Sequence, residues 1–226
     1  MLSRPDFALW IVGTLAAAFV CGLIVLRGRL RRYRMLASFF GVSVPVDWIR
    51  LEVFRQYGSS SSQYAYIYFY SDCLLTLLLY FAVAEHFVRV CDSVTARKVA
   101  RIGSFLLAVC VGIFSVALVL QSSAKLVTHF VVDYSENLYF AAVCFGLVLF
   151  VASLWNRGVW FHDRLLALVL ASYLALMSWQ YLLRNFYPGV NSIVYSRTLL
   201  WMLLLLGVAY IFSDPATGKD ERQIYL

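Results

Sequence analysis

Charge is scarce in this sequence: only 14% of its 226 residues are Asp, Glu, Lys or Arg, while 62% are hydrophobic. Soluble domains carry about 25% charged and about 45–50% apolar residues. What is missing is the polar surface that keeps a globule in water, so a soluble fold is excluded. Proline is rare, with 4 in the chain, and the 12 glycines are spread evenly. No pair of Gly/Pro-interrupted apolar segments recurs in the two halves, which argues against a transporter built from inverted repeats. The 5 cysteines, Cys21, Cys73, Cys91, Cys110 and Cys144, stand singly. That scatter excludes a disulfide framework and a zinc knuckle alike.

Chemistry-bearing motifs are also wanting. The sequence has no HExxH, no GxSxG and no glycine-rich phosphate loop, so no catalytic residue is assigned. Lys98, Lys125 and Lys219 all fall outside the apolar runs, which removes the Schiff-base lysine that retinal needs. A bis-histidine haem requires two imidazoles at one depth. His86 and His129 belong toward opposite membrane faces and His162 lies in a loop, so no cofactor and no metal is expected.

What is present is a series of apolar runs of membrane length. About 20 apolar residues cross the roughly 30 Å hydrocarbon layer, and the sequence predicts spans over 7–26, 35–54, 64–88, 102–120, 126–154, 165–183 and 192–212, with a tail over 214–226. The first run is too long for the h-region of a signal peptide and is expected to stay as a span. The run 35–54 is the ambiguous one, because Asp47, Arg50 and Glu52 follow its first twelve uncharged residues and Pro45 interrupts it. Charge parity arbitrates. If 35–54 crosses, 13 of the 19 Lys and Arg fall on one side and 6 on the other. If it does not, the later loops invert and the split is about 8 against 9. Cytoplasmic loops are rich in Lys and Arg. The expected fold is therefore an all-α seven-transmembrane helix bundle with its N-terminus outside and its C-terminus in the cytoplasm of a plasma (inner) membrane; six spans is the alternative.

The net charge of +7 sits in patches beside apolar runs, above all Arg27, Arg29, Arg31, Arg32 and Arg34. Such patches face membrane lipids, and no nucleic-acid partner is expected. The series Tyr64, Tyr66, Tyr68 and Tyr70 alternates like a strand, but it opens a 25-residue apolar run and reads as an aromatic belt at headgroup depth.

Charges inside a span cost about 2.5–3.5 kcal/mol, so the few present are the candidate sites. His129, Asp133 and Glu136 share one face of the fifth span near its outer end. With Asp72, Arg184 and Arg197, and with Asn185 and Asn191 nearby, they suggest an outer polar pocket for a polar ligand, headgroup or cation. The competing reading is that an overlong fifth helix protrudes and wets these groups. On the inner side Glu85 and Arg89 stand at i, i+4 with the acid first, the favourable order for a helix ion pair. Together with His86, His162, Asp163 and Arg164 they form a cytoplasmic rim suited to a partner protein or anionic lipid.

The segments RRYRMLASFF, YAYIYFYSD and AEHFVRV, the last holding Glu85, Phe87 and Arg89, resemble a set of uncharacterised bacterial seven-helix integral membrane proteins. The resemblance is one of pattern over most of the chain; it implies the seven-helix topology and no activity. The expected function is a sensory or ligand-binding module with an outer polar pocket and a basic rim, acting through a membrane or cytoplasmic protein partner. A structural subunit of a membrane complex and a lipid-modifying enzyme or transporter without a motif are the alternatives.

Overall fold

In a chain this apolar the backbone has few polar neighbours but itself, and helices are the element that satisfies every N–H and C=O within one segment. The computed structural model describes residues 4–58, 60–91, 93–121, 126–155, 161–186 and 192–213, without the side chains at 4–6, 118–119, 121, 126–129, 155, 181, 184–186 and 192–197. Among the described residues there are seven helices and no strand: α1 (Arg4–Leu26), α2 (Arg34–Tyr57), α3 (Ser62–Val90), α4 (Val94–Gln121), α5 (Leu126–Trp155), α6 (Phe161–Phe186) and α7 (Ser192–Ser213). The expected tail over 214–226 lies outside the described residues.

Among the described residues five stretches are long and apolar enough to cross a membrane: Phe7–Leu26, Ser62–Val90, Val94–Ala117, Phe130–Leu154 and Phe161–Gln180. The chain is a multi-pass membrane protein. Asp47, Arg50, Glu52 and Arg55 dilute α2, and the described apolar part of α7, Thr198–Ser213, is shorter.

Local chemistry sets the helix ends. After α1, Gly28 takes φ 68°, and the Gly28 and Arg29 amides donate to the carbonyls of Val25 and Ile24. This 5→2 and 6→1 pairing needs a left-handed residue, which glycine adopts without strain. Ser61 caps α3 by accepting the Tyr64 amide at 3.1 Å. Ser93 caps α4 through the Ala96 amide at 3.0 Å. That cap starts α4 at Val94 rather than near Ile102, and the exposed Arg97, Lys98 and Arg101 ride on its first two turns. The alternating tyrosines are helical, with Tyr64 on Tyr68 and Tyr66 on Tyr70.

Neighbouring helices close a ring in the order α1, α2, α3, α5, α6, α7 and back to α1, while α4 stands outside against α3 and α5. Small residues let the ring tighten. Gly13 faces the Trp201 ring, Gly146 the Ala171 backbone, and Gly207 the Val169 methyls, the close approaches that lipid-embedded helices use for packing. The core inside the ring holds Phe40, Leu79, Val83, Leu170, Leu174 and Val208.

A charged network at the basic end of the bundle

The C-termini of α1, α3 and α7 and the N-termini of α2 and α6 meet at one end of the bundle, which carries the arginine cluster; we term it the basic end. Arg27 donates to the Ser213 carbonyl at 2.9 Å, tying the end of α1 to the end of α7. That contact places a cation on a helix C-terminus, where the backbone dipole favours it.

The short loop between α1 and α2 delivers Arg32 and Tyr33 to Asp163 in the first turn of α6. Arg32 Nη2 stands 2.6 Å from Asp163 Oδ2, and the Tyr33 hydroxyl donates to Oδ1 at 2.7 Å. An acid in the first turn of a helix is favourably placed, and Asp163 is the one α6 has there. Burial, and next the Asp163 carboxylate, hold the Tyr33 phenol well above the ordinary tyrosine range.

His86, 1% exposed, places Nε2 2.9 Å from the Asp163 backbone carbonyl. A carbonyl only accepts, so Nε2 is the protonated nitrogen. In the neutral ring Nδ1 then carries a bare lone pair, and it is buried without a hydrogen bond.

Glu85 binds the start of α2 from the end of α3. Its Oε1 accepts from Arg34 Nε at 3.1 Å and its Oε2 from the Met35 amide at 3.0 Å. Arg89 Nη2 lies 3.3 Å from Oε2. The residue at the N-cap of α2, Tyr33, makes no side-chain cap bond, and the first turn holds no acid. Glu85 therefore supplies from another helix the charge and acceptor that a local cap ordinarily gives. The Arg89 guanidinium also lies over the Tyr33 ring at 4.4 Å, and Tyr33 meets Phe212 of α7 edge-on at 4.9 Å. Arg89 Nη1 is a second buried atom with no hydrogen bond.

The expected rim residues Glu85, His86 and Arg89 thus gather here with Asp163. His162 is half-buried beside Phe161. Tyr33 and Arg32, which the sequence hid inside a basic run, turn out to join the two halves of the network.

Asp72, 5% exposed, pairs with Arg50, 8% exposed, across α3 and α2 at 3.8 Å. Arg50 is held further by Ser71 Oγ at 2.7 Å, the Tyr68 carbonyl at 3.1 Å and the Tyr68 ring at 4.6 Å. At 1.5 Å per residue this pair lies about 24–27 Å from the basic end. Sequence reasoning did not pair these two charges, because their contact depends on α2 and α3 being neighbours in the ring. Asp133 and Glu136 are half-buried on α5. The side chains of His129, Arg184 and Arg197 lie outside the described residues, as do those of Asn185 and Asn191. Among the described residues no three of His, Cys, Asp and Glu stand close enough to hold a metal ion.

The fold defines a multi-pass α-helical membrane protein. No protein-family model matches the chain, and searches of curated proteins and of solved structures found no match either.

Proposed function

We propose that this protein is a seven-span plasma (inner) membrane module, N-terminus outside and C-terminus cytoplasmic, that binds a ligand and acts through a partner protein at its basic end. One observation carries the reading. Asp163, Tyr33, Arg32, His86, Glu85 and Arg89 link the ends of α2, α3 and α6 in a single network that reaches α7 through Phe212. A cluster shared by several helix ends is a local element whose rearrangement moves all of them together, which is what transmission across a bundle requires. The buried Arg50–Asp72 pair supports a second polar region near the outer end, since intramembrane charges mark function more often than packing. Asp133 and Glu136 remain the candidate acceptors of that outer pocket, with His129, Arg184 and Arg197 around them.

Native mass spectrometry after gentle release from nanodiscs tests both halves. The expected result is a partner chain at fixed stoichiometry that dissociates in Asp163→Asn, and a small bound mass lost in Asp133→Asn with Glu136→Gln. A bare monomer that the variants leave unchanged would contradict the proposal. The structural-subunit reading has one observation in its favour, the position of α4 outside the ring with Val99, Ile102, Phe105, Ile113 and Phe114 exposed. A partner retained equally by wild type and Asp163→Asn would favour it.

A further inference from the structure

Among the described residues four buried side-chain atoms have no hydrogen bond, and two of them, His86 Nδ1 and Arg89 Nη1, belong to one helix face. His86 and Arg89 are three residues apart on α3, a spacing that makes neighbours of their side chains, and both border the Tyr33 ring. They offer opposite chemistry: a lone pair at His86 Nδ1 and an N–H at Arg89 Nη1. Buried polar groups in native proteins are nearly always partnered, so the pair specifies a ligand group that donates one hydrogen bond and accepts another.

Charge narrows the choice. The ion-paired groups of the network are three guanidinium groups, on Arg32, Arg34 and Arg89, against two carboxylates, on Glu85 and Asp163, and Arg29 over Phe212 and Arg164 beside Asp163 add two more guanidinium groups at the same end. The surplus is positive, which an anion cancels. A carboxylate or a phosphodiester group has no O–H of its own to give His86. A phosphomonoester dianion has none either. The singly protonated phosphomonoester has one negative charge, one P–O–H and acceptor oxygens, and its second pKa near 6 keeps that form accessible.

We propose that the basic end binds a singly protonated phosphomonoester, its P–O–H donating to His86 Nδ1 and a phosphoryl oxygen accepting from Arg89 Nη1. The side chain of Arg89 is 23% exposed and rests on Tyr33 and a 3.3 Å ion pair, so the pair of atoms lies close to the surface of the bundle. The same chemistry comes from two sources, a lipid with a monoester headgroup or free inorganic phosphate. This deepens the reading of the basic end as the functional centre and rests on it.

The test is retention of headgroups by the whole chain, taken from nanodiscs doped with phosphatidic acid, a monoester, or phosphatidylmethanol, a diester with no O–H, and read by native mass spectrometry. Phosphatidic acid is expected to be retained at least about tenfold over phosphatidylmethanol, a gap of about 1.4 kcal/mol. His86→Phe keeps an aromatic ring in place but has no acceptor for the P–O–H, and Arg89→Lys keeps the charge but loses the fork. Each is expected to abolish the preference, while Arg97→Gln with Lys98→Gln leaves it intact. In detergent micelles of the protein with its retained phosphatidic acid, titrated inorganic phosphate that displaces the lipid and gives a bound phosphorus resonance assigns the natural ligand to the free ion. Lipid retained against phosphate assigns it to the headgroup. Equal retention of the two lipids, or equal loss in the Arg97/Lys98 variant, overturns the proposal. Loss of partner capture with the monoester preference intact would instead strike the partner reading alone.

Discussion

Asp163 illustrates how one carboxylate becomes indispensable. Its two oxygens take an arginine and a phenol, its backbone carbonyl takes a histidine, and the residue is only 8% exposed. The Arg32 side chain is 31% exposed, so water screens part of the charge that loss of Asp163 leaves uncompensated, and the cost falls below the about 3–5 kcal/mol of a fully buried pair. Asp163→Asn, which weakens the Arg32 and Tyr33 contacts together, is expected to destabilise the protein by more than Tyr33→Phe, which loses one hydrogen bond to a charged acceptor at about 1.5–3 kcal/mol. Denaturant unfolding in micelles checks the order; a larger loss in Tyr33→Phe would contradict it. Tyr33 also fixes a pH dependence. An unfolded tyrosine loses its proton near pH 10, whereas folded Tyr33 holds it to higher pH. Above about pH 10 the unfolded state therefore binds fewer protons than the native state, and stability falls as pH rises; below that the contribution is complete. The stability of wild type minus that of Tyr33→Phe should be flat up to about pH 9 and decline above about pH 10. A difference that stays constant through that range would contradict the buried, Asp163-bound phenol.

At the scale of elements, α2 is the instructive helix. Its charges made it the uncertain one from sequence, and the structure gives two of them a partner outside the helix: Asp47 accepts from Thr14 of α1 at 3.2 Å and Arg50 meets Asp72, while Glu52 accepts from Gln56 within α2 at 2.8 Å and the first turn leans on Glu85. Glu85→Gln keeps an acceptor for Met35 but loses the charge facing the helix dipole, at a cost of about 0.3–1 kcal/mol. Glu85→Ala loses both, and its amide exchange should quicken in the first turn of α2, whose cap it is, ahead of the rest of the helix. Uniform quickening along α2 would contradict the capping role. Packing gives a second contrast. A Cβ at Gly207 meets Val169 methyls at 3.0 and 3.1 Å, whereas one at Gly22 meets nothing within 4 Å. Gly207→Ala should cost about 1–3 kcal/mol through overpacking, and Gly22→Ala should be neutral or stabilise by up to about 1 kcal/mol. Thermal unfolding in micelles tests this, and a reversed order would contradict the α6–α7 approach. The helices themselves were legible, since apolar run length is a local property. Their ends were less so: the Ser93 cap extends α4 by two turns of charged residues that hydropathy alone assigns to a loop. The Glu85–Arg89 spacing was readable because it lies within one helix. Tyr33 with Asp163, and Arg50 with Asp72, were not, because pairing across helices depends on ring order and depth.

Over the whole molecule, the ring of six helices encloses two polar levels separated by apolar core. The charged network closes the basic end, and the Arg50–Asp72 pair sits about 24–27 Å along the helices from it. Which membrane face each level meets depends on whether α2 crosses, because an uncrossed α2 inverts every later loop. Seven crossings put the network, and with it the proposed partner and phosphomonoester, on the cytoplasmic side. A dual reporter, phosphatase active only outside and a fluorescent protein bright only inside, inserted separately at Ser60 and at Asp220, measures this directly. Phosphatase activity is expected at Ser60 and fluorescence at Asp220; fluorescence at Ser60, or phosphatase activity at Asp220, would contradict the seven-span topology.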